Sequence, residues 1–100
     1  MSRTVRCLHR GVAFEWDAAK AASNLVEHGV PFQLACGVFF ARFARVVDAG
    51  EPEEARDAAI GRAEDQSLLF VVHVIRHEEK IRIISARHAT PQERRTCEQF

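Results

Sequence analysis

Lys20, His28, Arg82 and Arg87 are the side chains whose types and settings could hold a phosphate or move a proton. The stretch "RIISARHATPQER" (Arg82–Arg94) runs an apolar strand out into Arg87 and His88 and then directly into a helix start. A guanidinium at a strand end is held stiffly, and its fork of donors matches a phosphate or a carboxylate. Arg87 is therefore a phosphate ligand or one half of a salt bridge, to the acidic loop upstream or to Glu93. Arg82 has the opposite parity to Ile81 and Ile83. It lies on the non-core face of its strand, as a site residue if that face is a site and as a solvated residue otherwise.

The first helix supplies the other two groups. His28 falls at its C-terminal end, where the helix dipole favours the protonated ring; that setting suits a structural contact or a tuned general acid. Lys20 falls in the first turn, where a cation is mildly unfavourable. Lys20, Asn24 and His28 recur every fourth residue and draw a polar line along one flank. His73 interrupts an apolar strand and reads as a satisfied core residue. His73 and His77 are four apart, but no third or fourth ligand is placed to complete a zinc site. No glycine-rich phosphate loop, nucleophile elbow or apolar carboxylate pair is present. The chemistry that remains is directed at phosphate, metal-free and without a cofactor.

The elements that must position these groups are legible. "VAFEW" (Val12–Trp16) predicts a strand, Asp17 a helix N-cap, and Gly29 the stop of the helix between them. "PFQLACGVFF" predicts a shorter helix opened by Pro31 and loosened by Gly37. Strands are predicted at Ala44–Asp48, Arg56–Ala63, Leu68–Ile75 and from Ile81 to Arg87, with a loop at Gly50 and Pro52. The near-continuous apolar run "LLFVVHVI" fits a central strand covered on both faces. Thr90, Pro91 and Glu93 form a capping box at the start of a last helix. The expected fold is α+β, a small antiparallel sheet with helices on one face, in the order β-α-α-β-β-β-β-α. It makes a single domain over residues 1–100, with 1–11 a candidate flexible extension.

With 100 residues, 47% hydrophobic and 28% charged, the chain is long enough for one modest core. Its formal net charge of zero argues against nonspecific coating of nucleic acid. The zero conceals an asymmetry. Asp48–Asp65 holds seven acids against two arginines, whereas Gln66–Phe100 holds six bases against four acids, and Arg3, Arg6 and Arg10 add to the basic side. The three cysteines, Cys7, Cys36 and Cys97, lack metal spacing and read as reduced thiols of a cytoplasmic protein. No apolar run suggests a signal peptide or a membrane span.

The motifs "FEWDAAKAASNLVEHGVPF" and "IRIISARHATPQERR", with "IGRAEDQSLLFVVHV" between them, resemble the BrnT family of toxins over roughly residues 12 to 97. The resemblance implies a compact relative of RelE-type ribonucleases, the toxin of a type II toxin–antitoxin pair. Such a protein cuts RNA without a metal. It is neutralised by a BrnA antitoxin of ribbon-helix-helix fold, through which alone it meets operator DNA. Carried over by position, it points to Trp16, Asp17 and Gly29 as core, cap and stop, and to Ser85 and Thr90 as architectural. Lys20, His28, Arg82 and Arg87 become the catalytic set and Arg94 an RNA contact; apart from the resemblance, His88 beside Arg87 and Lys80 are further candidate RNA contacts. The chain departs from the family pattern at Glu27 (usually lysine), Pro31 (usually serine or threonine) and Cys97 (often aromatic). Glu27, Cys97 and the neutral charge support an alternative: a catalytically weakened toxin-fold binding module acting mainly in an antitoxin complex bound to DNA.

Overall fold

A computed structural model describes residues 2–49 and 56–98. Six strands form one sheet in the order β1-β2-β6-β5-β4-β3: β1 Thr4–His9, β2 Val12–Asp17, β3 Arg45–Asp48, β4 Asp57–Arg62, β5 Leu68–Ile75 and β6 Ile81–His88. The helices are α1 Ala18–His28, α2 Phe32–Ala35 and α3 Pro91–Glu98, with 3-10 turns at Cys36–Phe40 and His77–Glu79. The loop expected at Gly50 and Pro52 and the side chain of Cys97 lie outside the described residues.

The α+β class is as expected, and three particulars differ. The segment expected as an extension is strand β1, which pairs with all of β2 from Thr4↔Asp17 to His9↔Val12. Its turn is Arg10–Gly11, with φ of 50° and 81°. Two consecutive positive-φ residues give a hairpin turn whose twist matches its strands, and glycine takes the second position without strain. Second, the sheet is mixed. β2 runs parallel to β6, with Phe14↔Ile81 and Glu15↔Arg82, while the remaining pairs are antiparallel. Third, α3 leaves the face that the other helices cover. Arg87 pairs with Phe70, and Phe70 with Ile60, so the three share the second face. There α3 packs beside β4 and its Glu93 meets Arg87.

The core lies on the first face. Phe14 and Trp16 from β2, Leu69 and Val71 from β5, and Ile83 and Ala86 from β6 are buried beneath Val30, Phe32, Ala35, Cys36 and Val38. Burying the Trp16 and Phe32 rings edge to face, centroids 5.9 Å apart, fixes α2 over the end of β2. Gly61 permits close approach on the same side: a Cβ there would stand 3.1 Å from the Ala44 Cβ and 3.2 Å from Val38 Cγ1. β5 alternates buried and half-buried residues, so it is fully covered on one face and partly on the other. His73 is a core residue, as its surroundings suggested. It is 3% exposed, Nδ1 lies 3.2 Å from the Val71 carbonyl, and its ring stands edge-on to Phe39. Desolvation pushes its pKa down.

Candidate active site

β6 lies between β2, which pairs with Ile81 and Arg82, and β5, which pairs along its whole length. Arg82 and Arg87 are five residues apart. Strict alternation would point them to opposite faces. They share one, because β6 carries an irregularity: Ile83 pairs with His73 but Ser85 pairs with Val72, leaving Ile84 as the extra residue. This bulge resets the parity. Ile83 and Ala86 both enter the core, and Arg82, Ser85 and Arg87 all project onto the second face. Nothing in the strand's composition signals that reset.

Each arginine has a carboxylate partner. Arg82 Nη1 donates to Glu15 Oε2 at 2.5 Å, with the two side chains 20% and 14% exposed. Glu15 is also the register partner of Arg6 on β1. Arg6, Glu15 and Arg82 therefore form a row across three strands, a row that sequence reasoning missed because it depends on the parallel β2–β6 pair. Arg87 makes the bidentate salt bridge to Glu93, Nη1 to Oε1 and Nη2 to Oε2, both 2.8 Å. Its Nη1 also donates to the His88 carbonyl, and its guanidinium lies 4.2 Å over the Phe70 ring. The Arg87 hydrogen bonds hold the Glu93 carboxyl below its usual range, and the same contact raises Arg87. Glu93 also closes the expected capping box: its Oε1 accepts from Thr90 N–H at 2.9 Å, and its own N–H donates to Thr90 Oγ1 at 3.2 Å. One carboxylate thus ties the helix start to the strand end.

Helix α1 is docked by Asn24, which is 5% exposed. Its Nδ2 donates to the carbonyls of Ala86 (2.7 Å) and Val30 (3.1 Å), and its Oδ1 accepts from Ala86 N–H (3.1 Å). The carboxamide stands in for a neighbouring strand, satisfying the β6 backbone past the point where β2 ends. Asn24, the middle residue of the polar line predicted on α1, thus faces β6. Lys20 and His28 fall one helical turn, about 6 Å, to either side of the anchor, or roughly two strand residues along β6. Because α1 continues directly from β2, Lys20 lies toward the Arg82 end and His28 toward the His88 end.

Lys20 is exposed beside Asp17, whose carboxylate caps the helix by accepting from Lys20 N–H at 3.0 Å. A hydrogen bond from Ser2, the cap contact and the charges of Arg82 and Lys20 lower the Asp17 pKa. His28 is exposed at the last turn, its Nε2 3.8 Å from Glu27 Oε2, and Gly29 ends the helix at φ 70°. His88 is exposed and register-paired with Leu69, on the parity opposite to Arg87. Arg94 is exposed on α3. Lys80 borders a hollow of about 200 Å³ with Leu8, Ala13 and Arg6, the last of these the register partner of Glu15. β6 thus carries Arg82, Ser85 and Arg87 on one face, while Lys20 and His28 stand exposed on α1, one turn to either side of Asn24. Among the described residues, no three His, Cys, Asp or Glu side chains gather to hold a metal ion.

The family model for the ribonuclease toxin BrnT of type II toxin–antitoxin systems matches residues 16–93. The chain belongs to the BrnT family. No curated protein matches the chain significantly. The BrnT match spans α1 with its Asp17 cap, all of β6 and the capping box, which are the elements that frame the candidate site. It begins one residue after Glu15, the partner of Arg82. No described helix is long and apolar enough to cross a membrane.

Proposed function

We propose that the protein is a metal-independent endoribonuclease, the cytoplasmic toxin of a type II pair, which arrests translation and growth by cutting RNA. It adopts the RelE-like arrangement of the sheet and is neutralised by a BrnA-type ribbon-helix-helix antitoxin. The observation that carries this reading is the bulged β6, which aims Arg82 and Arg87 onto one face while Asn24 lays the Lys20–His28 line of α1 alongside. In the reaction a ribose 2′-hydroxyl attacks the adjacent phosphate. Arg82 and Arg87 stabilise the charge that develops on the phosphoryl oxygens, and Lys20 or His28 serves in proton transfer. Arg94, His88 and Lys80 contact the RNA on either side. The antitoxin covers the same basic face, because it must exclude RNA and relieve repulsion there, and operator DNA is reached only through it.

The test is growth arrest and RNA cleavage by Arg87→Ala, with Arg87→Gln beside it because the bridge to Glu93 also secures α3. Both variants are expected to lose cleavage in EDTA and to lose toxicity while keeping the parent's circular dichroism. A folded variant that arrests cells as the parent does would refute the assignment. A second reading, the weakened toxin-fold binding module, is favoured by one feature. Arg82 and Arg87 both rest on carboxylates, and Glu27 lies beside His28. Cell-free translation separates the two readings, since antitoxin-free protein that leaves translation unaffected would support the module.

A further inference from the structure

We propose that Glu15 is the general base of the ribonuclease site, the carboxylate that takes the 2′-hydroxyl proton while Arg82 holds the phosphate under attack. This rests on the ribonuclease reading and adds the group that starts the reaction. A base must lie within hydrogen-bond reach of the hydroxyl while a cation lies at the phosphate beside it. Glu15 and Arg82 meet that requirement as a unit. They are register partners on parallel strands, on the second face and 14% and 20% exposed, with Nη1 to Oε2 at 2.5 Å. Glu15 Oε1 remains to accept a proton. Arg82 uses Nη1 toward Glu15, and the rest of its donor fork can meet a phosphate.

The contrast with the second pair is informative. Arg87 gives both Nη atoms to Glu93, and both Glu93 oxygens are occupied, one of them by the helix cap as well. That carboxylate is a structural fixture. The charged groups beside Glu15 are Arg6 on β1 and Arg82 on β6, its register partners, with Asp17 two residues along β2. The cations attract the substrate.

The step balances without a co-reactant. The 2′-O–H proton passes to Glu15, the 2′-oxygen bonds to phosphorus, and the bond from phosphorus to the 5′-oxygen breaks. The leaving oxygen takes a proton from Lys20 or His28. The products are a 2′,3′-cyclic phosphate and a 5′-hydroxyl.

The experiment compares the parent, Glu15→Gln and Glu15→Asp on a short fluorescent RNA across pH. Glutamine keeps the shape and can still accept from Arg82, but it is not a base. Glu15→Gln is expected to bind the RNA as the parent does, to lose kcat about 100-fold or more, and to lose the acid limb of the kcat/KM profile. A kcat within threefold of the parent, or a loss with the acid limb intact, overturns the proposal and leaves the ribonuclease reading standing. Should Glu15→Gln fail to fold, Glu15→Asp decides. Withdrawing the carboxylate by one methylene should lower kcat at least tenfold at unchanged KM, and a parental kcat overturns the assignment. A parent that cleaves no RNA overturns the ribonuclease reading itself, and this base with it.

Discussion

Replacing Asn24 with alanine should cost far more than an exposed helix substitution, because one carboxamide joins three parts of the chain. It removes three hydrogen bonds, to Ala86 N–H, Ala86 C=O and Val30 C=O. Each intramolecular hydrogen bond contributes about 1 kcal/mol net, and a buried partner left unsatisfied costs about 1–3 kcal/mol. Some relaxation of α1 will let water reach part of the site, so a total of about 3–5 kcal/mol is expected. Against the roughly 5–15 kcal/mol of a typical domain, that is a large share. At roughly 4–8 °C per kcal/mol, Tm should fall by at least about 12 °C. Urea titration followed by circular dichroism gives the value, with an unchanged slope showing that the same transition is measured. Ser23→Ala, which removes an exposed bond to Ala19, is the comparison and should stay within about 0.5 kcal/mol. A loss below about 1 kcal/mol for Asn24→Ala would refute the claim that this side chain docks α1 against β6. The placement of Lys20 and His28 along the strand would fall with it.

Two further outcomes follow from other contacts. Glu93 has a folded pKa below its ordinary 4.5, so its stabilising effect is complete above that value and disappears as pH falls through the lower folded value. Glu93→Gln should therefore be less stable than the parent by about 1 kcal/mol at pH 7, allowing for partial exposure of the bridge, with the gap narrowing as pH falls below 4.5; a gap that does not change with pH would contradict this. Cys36 is buried and its thiol is pushed up to about 12, so native protein at pH 8 should alkylate at the half-buried Cys7 well before Cys36, as peptide mapping would read.

What was legible in the sequence was local. Asp17 caps α1, Gly29 ends it in the left-handed conformation, and Thr90 with Glu93 builds the capping box; each is a contact within four residues. The strands from β2 to β6 came from apolar runs and turn residues, except β4, which is weak in strand propensity and legible mainly through the apolar run that follows it. β1 was readable too, since Val5, Cys7 and His9 alternate inward before Arg10–Gly11, but the arginines of that segment masked it. The remaining features depend on pairing between distant parts of the chain. The bulge that brings Arg82 and Arg87 to one face arises between β5 and β6, and no residue type marks it. Glu15 meets Arg82 only because β2 and β6 are parallel, and Asn24 is buried only because β2 ends short of Ala86. The candidate cations, and Glu93 as a candidate partner of Arg87, could be named from the sequence, but Glu15 as the partner of Arg82 and the shared surface could not.

The central claim is that the second face of β6 is where RNA is cut, and single-turnover cleavage in EDTA by Arg82→Gln tests it most directly. Folded Arg82→Gln should cut a labelled RNA about 100–1000-fold more slowly than the parent, the usual loss for one stabilising donor, with the parent leaving 2′,3′-cyclic phosphate ends. Cleavage by folded Arg82→Gln at the parental rate would contradict the account.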